Sequence, residues 1–206
     1  MPVIYGQVSA PSNNSAADGT NQPWLQGKLS EGIVAELHGL WYTAAYRGKA
    51  FHGSSAIAGT ILPRETTTTA TFMLYNPVTS GVNLELISTD IGLWTTTMVI
   101  GGIMMATGTP APTTTTAITA TVTPSLVGGG FTPKAALYSA ATITAMSFFY
   151  PMFQITATTT GTDQNYGAYN WNGRICLAPG TGAMPCSNPV QTNSTINALD
   201  WAEWPI

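Results

Sequence analysis

Hydrophobic and polar residues alternate most clearly between Ala70 and Trp94. Phe72 and Leu74 fall on one side of an extended chain, and Thr71, Met73 and Tyr75 on the other. Further on, Leu84 and Leu86 share a face opposite Asn83, Glu85 and Ile87. A period of two predicts strands with one side in a core. The connection Asn76-Pro77-Val78-Thr79-Ser80-Gly81 carries turn chemistry: an Asx side chain, a fixed φ and a glycine suited to positive φ. A hairpin is the expected arrangement.

The same alternation continues along the chain. Thr113–Thr123 reads as a strand, with Thr116, Ile118, Ala120 and Val122 opposite Ala117, Thr119, Thr121 and Thr123. Strands are expected over Thr95–Ala106, with a kink at Gly101-Gly102, and near Ala140–Met146 and Phe148–Thr158, where Pro151 marks a bend or an edge. A short strand before Pro179-Gly180 follows. Ile196–Ile206 closes the chain, with Leu199, Trp201 and Glu203 facing away from Asp200, Ala202 and Trp204. Glu31–Phe51 matches a helical stripe, but Gly32, Gly39 and the Leu40/Tyr42 alternation favour a strand, and Arg47-Gly48-Lys49 reads as a turn. Residues 1–30, rich in Ser, Asn, Gly and Pro, read as an extended arm anchored by Trp24 and Leu25. These elements predict an all-β fold: one β-sandwich over residues 31–206, jelly-roll-like, with an extended N-terminal arm.

Composition sharpens this picture. The 206 residues are 44% hydrophobic but only 7% charged, against roughly a quarter charged in ordinary domains. Threonine takes much of the vacated share, and β-branched residues suit pleated surface. So little charge gives poor protection against self-association, which predicts surface buried against copies of the chain or another protein. A net charge of −3 with six scattered basic residues argues against a nucleic-acid partner. The opening residues lack a signal-peptide pattern, and no apolar run approaches the roughly 20 residues that span a bilayer. The chain is expected to be soluble and made in a cytoplasm.

Candidate chemistry is sparse. His38 and His52 have no second histidine or cysteine at metal-ligand spacing, and the sequence offers neither a Gly-x-Ser-x-Gly elbow nor a phosphate loop. No catalytic residue, metal or cofactor is expected. Cys176 and Cys186 flank a Pro-Gly loop and stand either as two thiols or as a disulfide closing it. Tyr166, Tyr169 and Trp171 in a polar loop could form a glycan platform, although tryptophan in a sandwich core is the commoner arrangement.

The segments LHGLWYTAAYRGKAF (Leu37–Phe51), FMLYNPVTSGVNLELI (Phe72–Ile87), ICLAPGT (Ile175–Thr181) and WAEWPI (Trp201–Ile206) occur in an order that resembles small structural proteins encoded beside the capsid genes of tailed bacteriophages. They cover about half the chain. The resemblance implies a virion component made in the host cytoplasm: a head decoration or cement protein that binds the major capsid protein as an oligomer, expected to be a homotrimer. It carries no catalytic residues. The interface candidates are Trp24, Leu25, Trp41, Tyr42, Arg47, Trp201 and Trp204. A host-facing fibre or lectin-like glycan-binding sandwich is the alternative. High threonine content, low charge and the two cysteines set this chain apart from the family.

Overall fold

The computed structural model describes residues 39–93, 99–118, 121–155, 167–192 and 194–206. A single helical turn, α1 (Tyr42–Tyr46), leads into β1 (Ala50–Ser54), β2 (Thr60–Ile61), β3 (Thr69–Ala70), β4 (Met73–Tyr75), β5 (Val82–Leu93), β6 (Gly101–Gly108) and β7 (Thr113–Ala117). Then come β8 (Val122–Pro124), β9 (Ala136–Thr142), β10 (Phe148–Ile155), β11 (Ala168–Asn170), β12 (Cys176–Leu177), β13 (Gly182–Asn188) and β14 (Ser194–Pro205). They form an all-β sandwich of two antiparallel sheets. One runs β11-β5-β14-β1-β8, with β12 also on β5 and β2 on β14; the other runs β10-β6-β13-β4-β9-β3, with β7 also on β9. Ala44–Ile206 make one compact unit, and the expected boundary at residue 31 lies outside the described residues. The expected arm, with Trp24 and Leu25, lies outside the described residues.

The pairing is nested. Taking β1, β4, β5, β6, β10, β11, β13 and β14 in chain order, the first pairs with the last, the second with the seventh, the third with the sixth and the fourth with the fifth. The insertion between β6 and β10 extends both sheets, placing β8 beside β1 and β9 beside β4.

Each strand's alternation explains its seat. Phe51, Phe72, Leu74, Leu84, Leu86, Met105, Leu137, Leu199 and Trp201 meet between the sheets, where apolar burial contributes about 25 cal/mol per Å². Gly53 lies beneath this cluster: a Cβ there would meet Leu137 at 2.6 Å, so glycine leaves the space for Leu137 and Trp201. The outer face of the second sheet is also buried. Met73, Ala106, Met184 and Cys186 lie in a second cluster with Ile143 and Met146.

Four expectations need correction. Phe72–Ile87 is not a hairpin, because β4 and β5 lie in opposite sheets. Both turn leucines into the same core, so periodicity gave the face of each strand but not its partner. Asn76 holds the crossing. Its side-chain amide donates to the carbonyls of Val82 and Leu177, both at 2.8 Å, and Gly81 takes the positive φ its position predicts.

Thr113–Thr123 divides into β7 and β8, which join different sheets. Every residue of β7 is exposed, so threonine alternation there buries neither side. Tyr42–Tyr46 is helical rather than extended. Finally, the loop expected between Cys176 and Cys186 gives way at Gly182 to a central strand, Gly182–Asn188, buried along nearly its whole length. Its small residues and Pro185 hid it. Ser187 N–H donates to the Pro63 carbonyl. Two residues earlier the backbone points the same way, so Pro185 turns its missing donor away from β6.

Other expectations hold. Pro151 lies on an outermost strand, where the register shifts between Pro151 and Phe153. The terminal strand β14 lies between β5 and β1, with the facing read from its sequence.

Candidate functional site

Neighbouring strands bring three polar side chains together on the outer face of the first sheet. His52 on β1 lies directly opposite Asp200 on β14, which lies opposite Ser88 on β5. His52 donates from Nδ1 to Oδ1 of Asp200 at 2.8 Å, and Ser88 Oγ donates to Oδ2 at 2.6 Å. The hydrogen bond to Asp200 raises the His52 pKa against the opposing effect of burial, and the charges of Asp200 and Asp90 add to the rise. Burial alone would raise the Asp200 carboxyl, but hydrogen bonds from His52 and Ser88 and the imidazolium charge hold it low. Burial pushes Asp90 upward, helped by the charge of Asp200.

Ser, Asp and His are all present, yet their order is wrong for nucleophilic catalysis. A relay needs the imidazole between the hydroxyl and the carboxylate. Here the carboxylate is central and fully engaged, so His52 cannot take the Ser88 proton. The cluster is a polar clasp across three strands. Among the described residues no group of three or more His, Cys, Asp or Glu side chains could hold a metal ion. His38 lies outside them.

Of the expected glycan platform, Trp171 is turned away from the surface. Trp171 is 1% exposed and belongs to the core, where its indole N–H donates to Thr89 Oγ1 at 2.8 Å. Tyr169 is half-buried, 4.5 Å between centroids from Trp171 and edge-on to Phe153. Tyr166 lies outside the described residues. A ring that fills the core has no face for a sugar.

The interface candidates separate in the same way. Trp201 is 0% exposed and stacks near Phe51; it is core, because its strand turns that side inward. Trp204 points outward and donates to Glu85 Oε2 at 2.7 Å. Tyr42 and Arg47 are exposed and Trp41 is half-buried.

Both cysteines are free thiols. Leu177 and Ala183 turn into the core, so Cys176 and Cys186 point outward from opposite sheets. Stacked sheets lie ~10 Å apart, beyond the roughly 7 Å Cα separation that a disulfide spans. Burial, then the nearby Glu65 charge, pushes the Cys186 thiol up to about 12.

Sequence reasoning missed a buried carboxylate. Glu203 accepts hydrogen bonds from the backbone N–H groups of Lys134 and Ala135 and from the Trp201 indole. It fastens the loop before β9 to the terminal strand. A glutamate on the apolar side of a terminal strand was the available signal.

The remaining feature is an aromatic edge. Phe148, Phe149 and Tyr150 are consecutive on β10 and are 65%, 40% and 39% exposed. β10 is the outermost strand of its sheet. Among the described residues no helix is long and apolar enough to cross a membrane. No protein-family model, no curated protein and no solved structure matches the chain.

Proposed function

We propose that this chain is a virion structural protein of a tailed bacteriophage, a decoration or cement protein that associates with its own copies and bridges capsomers of the major capsid protein. Its nested pairing of first strand with last, second with seventh, third with sixth and fourth with fifth is read here as a jelly roll. That architecture serves viral capsid and lectin domains alike, so the fold by itself separates neither function. The observation that carries the reading is the exposed aromatic edge of β10 on a sandwich with so little charge. A surface of this kind is stabilised by being covered. The order of short motifs that resembles phage head proteins supports the same conclusion.

Mass spectrometry of purified virions encoding this chain, followed by electron cryomicroscopy, tests the proposal. The expected result is stoichiometric protein with matching density on the outside of the shell. Absence from the particle, or density confined to tail fibres, would refute it.

A further inference from the structure

Among the described residues β10 pairs with β6 alone. Its register places Phe149 opposite Ala106 and Tyr150 opposite Met105. Ala106 faces the outer cluster of the second sheet and Met105 the inner core. Tyr150 accordingly meets Trp171 edge-on at 6.1 Å. Consecutive aromatic rings therefore wrap the sheet edge and present apolar surface on both sides of it.

Edge strands are commonly guarded by charge, proline or a bulge. This one has the last two: Pro151 lacks an N–H, and the register shifts just beyond it. Both interrupt a ladder that another strand would extend. Charge, the third guard, is missing. Between Asp90 and Asp163 the only charged residue in the sequence is Lys134. The backbone edge is blunted while the aromatic side chains stay uncovered.

A partner for this patch must itself be poor in charge, because a charge buried against uncharged aromatics loses its solvation without compensation. This chain supplies such a surface, and symmetry brings identical patches together at no cost in further sequence. Building on the structural role above, we infer that the Phe148–Tyr150 end of β10 is where copies of this chain associate, by aromatic side-chain packing rather than sheet extension.

Light scattering of the full chain over a wide concentration range tests this, comparing wild type, the double variant Phe148→Asp with Phe149→Asp, and Val127→Asp. Val127 is 91% exposed on a separate loop and controls for added charge. Central aromatic anchors dominate interfaces, so the expected result is a wild-type multimer, an unchanged Val127→Asp multimer, and at least a hundredfold weaker association of the double variant. Far-UV circular dichroism checks its fold; if it misfolds, Phe148→Ser, at the most exposed ring, takes its place and should weaken association at least tenfold. A folded variant with wild-type mass would overturn this contact and leave self-assembly standing. A monomeric wild type at every concentration would overturn the contact and self-assembly together, while virion incorporation remains a separate measurement.

Discussion

His52 donates a hydrogen bond to Asp200 across 148 residues of sequence, joining β1 to the terminal strand on the outer face of the first sheet. The pair makes stability depend on pH in two directions. The folded His52 value lies above the ordinary 6.5, so its contribution is complete below 6.5 and fades as pH rises through the folded value. Asp200 lies below its ordinary 3.8, so its contribution holds above 3.8 and fades as pH falls through the folded value. Both groups are partly exposed, which limits the pair to about 0.5–1 kcal/mol. In Asp200→Asn, proton NMR should place the His52 titration at lower pH than in wild type. An unchanged titration would contradict the assignment.

Glu203 should matter more. Its carboxylate engages two backbone N–H groups and an indole in a buried setting. Glu203→Ala leaves those donors unsatisfied and should lower unfolding free energy by about 3 kcal/mol, as measured by urea denaturation. A loss below about 1 kcal/mol would mean that the loop before β9 is held by other contacts.

Two adjacent glycines should behave differently. A Cβ on Gly101 would lie 2.0 Å from the Asn188 carbonyl oxygen, whereas one on Gly102 meets only the end of Met104 at 3.7 Å. Gly101→Ala should destabilise by about 2 kcal/mol or more, and Gly102→Ala by less than about 0.5 kcal/mol. Thermal melts of the two variants provide the comparison; equal melting temperatures would contradict the close approach.

The thiols give a direct check on the two outward faces. In native protein a thiol reagent should label exposed Cys176 and spare buried Cys186; in denaturant it should label both. An intact mass two hydrogens lighter, with no reactive thiol after unfolding, would instead indicate a disulfide.

Local pattern made much of the fold legible, and it failed where the answer depended on a distant partner. Alternation in Leu84–Leu86 and Leu199–Glu203 identified the inward side of both long strands, because a half-buried strand must alternate. It could not place β4 and β5 in opposite sheets, since a turn and a sheet-to-sheet crossing use the same Asn-Pro and Gly residues. β13 escaped notice because Gly, Ala, Pro and Ser lack strand propensity; burial between β6 and β4 makes the strand. Similarly, Trp171 could be read as platform or core until Thr89 supplied a buried partner for its indole. The His52–Asp200 clasp had no local signal at all. The aromatic run at Phe148–Tyr150 was visible, but its exposure follows from β10 being outermost.

A cement role is tested most directly by particle stability. Virions lacking this chain should assemble and then release their DNA at a lower temperature than wild-type virions, with stability restored by adding purified protein. Identical release temperatures with and without the protein would contradict the account.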